Sequence, residues 1–191
     1  MIVDKDCWQT PLDLYEWLDK NEGPFFWDAC CNIKNCLVAA QKAITCESNI
    51  LESHNCLSHD TYDYLKTDMI KVWKKMADPY ITDAGHCDGK VSENIFMNPP
   101  YSNPGPFIQK AWEDSKYFKL IILVPISILS CKYLDFLEDS EYLCKQNPTR
   151  KWREGVKIVP LSRRTKFVHP NKKSSSPPGG CMLMIFDRRG K

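Results

Sequence analysis

Apolar residues recur along the chain at two periods. Leu12, Tyr15, Trp17 and Leu18 fall on one helical face between Thr10-Pro11 and Gly23-Pro24. Thr10 suits an N-cap, Pro11 suits the first helical position, and Gly23-Pro24 stops the run. Phe25-Phe26-Trp27, closed by Asp28-Ala29-Cys30, reads as a buried strand ended by a turn. Residues 35–42 have room for a short helix, whereas 43–58 carry no clear period. Tyr62, Leu65, Met69, Val72 and Trp73 return to helical spacing and predict a helix over about 60–76. The polar stretch 77–93, with Pro79, Gly85 and Gly89, reads as a long insertion loop.

Residues 94–97 predict a short strand that stops abruptly at Asn98-Pro99-Pro100-Tyr101. Gly105-Pro106 precedes a helix over about 106–116, with Phe107, Ala111 and Trp112 inward. Residues 119–125 form the strongest strand of the chain and read as buried on both faces. Residues 130–141 predict another helix, with Tyr133, Leu134 and Leu137 inward. The late runs 156–161 and 182–186 read as strands, separated by Arg163-Arg164 and a Lys/Ser/Pro/Gly loop. Strands alternating with helices, followed by late strands, predict an α/β sheet with an antiparallel edge pair. A length of 191 residues fits one domain over 1–191, with the 77–93 loop inside it.

Charge and composition narrow the classes. At 43% hydrophobic and 26% charged, the chain is ordinary for a globular protein. Its longest apolar run, 120–126, is far short of the ~20 residues of a membrane span. The first residues, with Asp4, Lys5 and Asp6, lack a secretion signal's apolar stretch. A cytoplasmic chain that does not enter a membrane is therefore expected. The net charge of +2 conceals an asymmetry: residues 1–144 sum to −9 and residues 145–191 to +11. Such a basic segment, centred on 145–176, suits a polyanionic partner. The ten cysteines are expected as thiols in a reducing compartment. Cys56, His59 and Cys87 come nearest to a zinc set, but no two close-spaced ligand hairpins emerge, and no metal is expected.

The chemistry gathers at Asn98-Pro99-Pro100-Tyr101. Two consecutive prolines donate no backbone hydrogen bond, so they end sheet pairing on a stiff, extended chain. Their carbonyls remain as acceptors, Asn98 adds an amide oxygen, and Tyr101 adds an aromatic face. That set suits a planar group with an exocyclic amine, such as a nucleobase. In open α/β sheets, ligands bind at the carboxyl ends of strands, where this turn is predicted to lie.

With these motifs assembled, the chain resembles the phage-type DNA adenine-N6 methyltransferases, the small Dam-like family. The matches are Trp8-Gln9-Thr10-Pro11-Leu12, Phe26-Trp27-Asp28-Ala29-Cys30 with Asn35-Cys36, Asn98-Pro99-Pro100-Tyr101-Ser102, Leu123-Val124-Pro125, and Lys166-Phe167 followed by Pro177-Pro178 and the strand 182–186. They span about residues 7–187 in order. The resemblance implies a Rossmann-like sheet and an S-adenosylmethionine cofactor, with no metal. Trp8, Thr10 and Pro11 would lie at the cofactor's methionine end, and Asp28, Ala29 and Cys30 beside it. Either Asp60 or Asp63 would meet the ribose, with Asp63 favoured. The chain departs from many methyltransferases in having no Gly-x-Gly after its first strand.

The same resemblance implies a catalytic turn of Asn98, Pro99, Pro100 and Tyr101 acting on adenine flipped out of double-stranded DNA. Tyr101 would stack on the base, with Phe167 as a second aromatic contact. Arg163, Arg164, Lys166, Lys172 and Lys173, with Arg150, Lys151 and Arg153, would neutralise phosphates. A monomer in the cytoplasm is expected, the host's cytoplasm for a phage-encoded chain. Other readings stay open: a catalytically dead DNA-binding module, a glutamine methyltransferase, or a cytosine-N4 enzyme. The glutamine class carries a Gly-rich cofactor loop, and the cytosine class more often has Ser in place of Asn98.

Overall fold

The strand Lys119–Pro125 (β3) is the spine of the molecule, with every residue from Leu120 onward buried. In the computed structural model, residues 10–30, 64–66, 68–76, 93–139, 151–169, 172–175 and 179–190 are described. Beside β3 lie Asn94–Met97 (β2) and Phe25–Asp28 (β1) on one side, and Cys181–Phe186 (β7) and Val156–Pro160 (β4) on the other. The sheet order is β1-β2-β3-β7-β4. β1, β2 and β3 run parallel, whereas β7 is antiparallel to both β3 and β4. The mixed α/β class and the antiparallel strand β7 agree with the sequence. β7 lies inside the sheet, however, so of the two late strands only β4 is at an edge. The five-stranded mixed sheet is compatible with a methyltransferase fold.

Side chains of β3 alternate between two cores, which is why its run is apolar throughout. Leu120, Ile122 and Val124 join one cluster, and Ile121 and Leu123 the other. The first cluster takes Ile108 and Ala111 from helix α3 (Gly105–Asp114), Met69 from helix α2 (Met69–Met76), and Leu134 and Leu137. The second takes Tyr15 and Leu18 from helix α1 (Leu12–Asn21). Helical elements thus cover both faces of the sheet. At about 1.5–3 kcal/mol per buried aliphatic side chain, β3 alone supplies much of the driving force for assembly.

Several predicted elements change in detail. Pro11, rather than Thr10, occupies the N-cap of α1, and its carbonyl accepts the Tyr15 amide at 3.0 Å. Trp17 is 52% exposed, because at 100° per residue it points away from the Leu14, Tyr15 and Leu18 stripe. Residues 64–66 form a turn, not the start of a helix. Asp68 sets the beginning of α2, since its Oδ1 accepts the amides of Ile70 and Lys71 at 3.1 and 3.2 Å. In the described part of the helix predicted over 130–141 there is instead a 3-10 segment, Lys132–Leu137, preceded by another, Ile126–Ser130. Their three-residue period explains why Leu134 and Leu137 share the buried face while Tyr133 is exposed. The loop predicted before the last strand contains a hairpin of Phe167–His169 (β5) and Lys172–Ser175 (β6). The predicted helix at 35–42 lies outside the described residues, as do 77–92 of the insertion and the zinc candidates Cys56, His59 and Cys87.

Candidate active site at the carboxyl edge of the sheet

Parallel pairing brings the carboxyl ends of β1, β2 and β3 to one edge. Asp28 ends β1, Asn98 follows β2, and Pro125 ends β3. The antiparallel β7 begins at the same edge, with Cys181 opposite Pro125. α1 runs counter to β1. Its end lies at the other edge, where Glu22 pairs with Lys119 at 2.7 Å, so Thr10 and Pro11 lie toward the carboxyl edge. Tyr15 fixes α1 there, with its ring 5.7 Å from Phe25 and 5.4 Å from Phe96. Gly23 makes the return into β1 feasible, because a Cβ at that position would collide with the Asp19 carbonyl.

Each part of the edge has its own local construction. The Ala29 amide extends β1–β2 pairing to the Phe96 carbonyl at 2.9 Å, and Asp28 Oδ1 accepts the Cys30 amide at 3.3 Å. That turn holds the half-buried Asp28 carboxylate at the strand end. Pro99 is buried, and the Pro100 carbonyl accepts the Asn103 amide at 3.1 Å. The turn thus occupies Pro100's carbonyl, leaving Pro99's as the candidate acceptor. Asn98 Oδ1 is buried at the end of β2. Thr10 Oγ1 is likewise buried, with no hydrogen-bond partner among the described residues.

Tyr101 turns inward across the edge. Its hydroxyl lies 3.8 Å from Cys181 Sγ, and its ring meets Phe167 edge-on, with centroids 5.6 Å apart at 89°. Burial holds the Tyr101 phenol far above its ordinary range, and the Cys181 thiol beside it adds to the shift. Burial also raises the Cys181 thiol, while Tyr101 and Thr165 pull it down. The Thr165 hydroxyl is buried as well.

The predicted cations divide into two groups. On the segment leading into β5, Thr165 and Phe167 point inward, while Arg163, Arg164, Lys166 and Val168 are exposed. The three cations make no ion pair among the described residues. Phe167 is 3% exposed, so it backs Tyr101 and offers no open face of its own. Lys172 and Lys173 stand on β6, and their side chains lie outside what is described. Lys151 and Arg153 are engaged elsewhere: Lys151 pairs with Asp139 at 3.1 Å, and Arg153 Nε donates to the Glu138 carbonyl at 2.9 Å. They precede the start of β4, which is level with the amino end of β3 through Phe186. Arg189, also at that end, pairs with Asp187 and Glu93. Trp8, Asp60, Asp63 and Arg150 lie outside the described residues. The turn directly after Asp63 is pinned to α3, since Tyr64 donates to Asp114 at 2.9 Å and Lys110 bridges to the same carboxylate.

Comparison with known proteins decides the class. A family model for DNA N-6-adenine-methyltransferase (Dam) matches residues 2–189. The chain belongs to that family. No curated protein and no solved structure matches it. Dam membership carries DNA adenine N6-methyltransferase activity, hence transferase chemistry on a DNA substrate. Among the described residues of this Dam-family chain, no helix is long and apolar enough to cross a membrane.

Neither Cys181 nor Thr165 stands out in the sequence, Cys181 as one of ten cysteines and Thr165 between the arginine pair and Lys166. The period-two alternation of Thr165, Lys166, Phe167 and Val168 was the available signal for the hairpin.

Proposed function

We propose that this Dam-family chain, acting as a monomer on double-stranded DNA, methylates N6 of an adenine flipped from the helix, with S-adenosylmethionine as the methyl donor. The sheet would serve as a Rossmann-like cofactor platform. The observation that carries the reading is the Asn98-Pro99-Pro100-Tyr101 turn at the carboxyl end of β2, on the same edge as Asp28 and the basic hairpin.

The residues at that edge fit such a cofactor. Thr10 contributes a buried hydroxyl with no hydrogen-bond partner among the described residues, and Asp28 a carboxylate on a main-chain turn. Thr10 with Pro11 and Trp8 would hold the methionine end. Asp28, Ala29 and Cys30 would flank the cofactor, and Asp63 would meet the ribose. When bound, S-adenosylmethionine supplies an electrophilic methyl group and takes the electron pair of the broken carbon–sulfur bond.

The chain's own task is orientation. The adenine amine is a poor nucleophile because its lone pair is delocalised into the ring. Asn98 Oδ1 and the Pro99 carbonyl would accept its two N–H groups and localise the lone pair toward the methyl carbon, and after transfer the surplus proton on the nitrogen is released to water. Tyr101 would support the flipped base, with Phe167 behind it. Flipping costs a few kcal/mol, offset by contacts with the displaced base and by phosphate contacts to Arg163, Arg164, Lys166, Lys172 and Lys173.

The test is methyl transfer from tritiated S-adenosylmethionine to unmethylated duplex DNA. N6-methyladenine is the expected product, and Asn98→Ala should abolish it while the melting temperature stays near wild type. Label on cytosine would point to an N4 enzyme and label on protein to a glutamine enzyme. DNA binding without transfer would point to an inactive module.

A further inference from the structure

Cys181 is 0% exposed at the first position of β7, in a strand that is otherwise entirely apolar. The backbone grips it from both sides. It pairs with Pro125 of β3, and its carbonyl accepts the Leu161 amide at 3.0 Å. It is therefore a fixed point on an interior strand. The Tyr101 hydroxyl reaches it across β3 at 3.8 Å. A buried phenol needs a polar partner, and a thiol is a small one that fits an apolar core.

We propose that Cys181 is a positioning residue for methyl transfer that anchors the Tyr101 hydroxyl and so fixes the catalytic turn. The inference rests on the reading above. The turn itself transmits the constraint. Tyr101 is joined to Asn98 through two prolines whose φ angles are locked, so a shift of the tyrosine ring moves the acceptors aimed at the amine. The anchor also ties the turn to the DNA-facing hairpin. Phe167, on the same buried face as Thr165, packs edge-on against Tyr101. Arg164 and Lys166 alternate with them on the outer face. Engagement of phosphates by that face would therefore stiffen the turn.

The test compares wild type with Cys181→Ala, Cys181→Ser, Tyr101→Phe and the double variant Cys181→Ala/Tyr101→Phe. Turnover, the KM for DNA and calorimetric S-adenosylmethionine affinity are measured on the full chain. Cys181→Ala and Tyr101→Phe should each lower kcat about fivefold, the scale of one neutral hydrogen bond. Cofactor affinity should stay within about twofold. The double variant should be no slower than either single variant, because both remove the same interaction. Cys181→Ser keeps a donor and acceptor of similar size and should recover most of the lost turnover. Unchanged turnover in Cys181→Ala overturns the proposal, as do additive losses in the double variant, or Ser and Ala variants losing turnover equally along with thermal stability. A wild-type chain that methylates no adenine overturns the functional reading and the anchor together. An active wild type with insensitive variants overturns the anchor alone.

Discussion

Replacing Thr10 with valine removes one hydroxyl and keeps the shape of the side chain. That hydroxyl is buried and has no hydrogen-bond partner among the described residues. A polar group in that state costs about 1–3 kcal/mol, and the residue's partial exposure argues for the lower end. Thr10→Val should therefore stabilise the free protein by about 1 kcal/mol, a rise of about 2–4 °C in melting temperature for a chain of this size. The same change should weaken S-adenosylmethionine binding about tenfold, because the cofactor loses a buried polar contact. The two effects have opposite signs. With cofactor at a hundred times the wild-type Kd, wild type gains about 2.7 kcal/mol and the variant only about 1.4. The variant's lead should disappear under those conditions. Thermal melts with and without cofactor, alongside calorimetry, read both quantities. A variant less stable than wild type without cofactor would refute the reasoning, and so would one that keeps its lead at saturation.

Other predictions follow from the same geometry. Phe96→Ala removes a fully buried ring that touches both Tyr15 and Phe25, and should cost about 3–5 kcal/mol in a urea titration. A loss below about 1 kcal/mol would mean that α1 is held some other way. Arg163→Ala with Arg164→Ala should weaken DNA binding and lower the slope of log K against log salt by about 1–2, leaving cofactor affinity unchanged. An unaltered slope would put the DNA on another surface. Burial raises the Tyr101 phenol and the Cys181 thiol above their ordinary values of 10.0 and 9.0. The folded state thus binds these protons more tightly than the unfolded chain. Their contribution is complete below about pH 9 and declines as pH rises beyond it. Tyr101→Phe should flatten the alkaline limb of stability, as measured by urea titrations from neutral to alkaline pH, and an unchanged limb would contradict the burial.

The Dam family assignment has its sequence-level counterpart in local signals. Asn98-Pro99-Pro100-Tyr101 is legible because two prolines can only end a strand, whatever surrounds them. β3 is legible because a strand buried on both faces has no polar position. Asp28 at the close of an apolar run is legible for the same kind of reason. Each of these depends on residues next to one another in the chain. Local pattern was insufficient where a longer-range partner decided the outcome. The helix expected from 60 is described only from Met69, where Asp68 caps it, and the described part of another predicted helix is a 3-10 segment whose three-residue period sets its buried face. The β5–β6 hairpin, hidden in a polar loop, packs where Phe167 meets Tyr101. Tyr101 and Cys181 are eighty residues apart, and only the insertion of β7 beside β3 brings their side chains together. Sequence therefore determined which chemical groups stand at the strand ends. Tertiary structure decided which of them touch, because sheet order and register are set by burial summed over the whole chain and leave no mark at any single position.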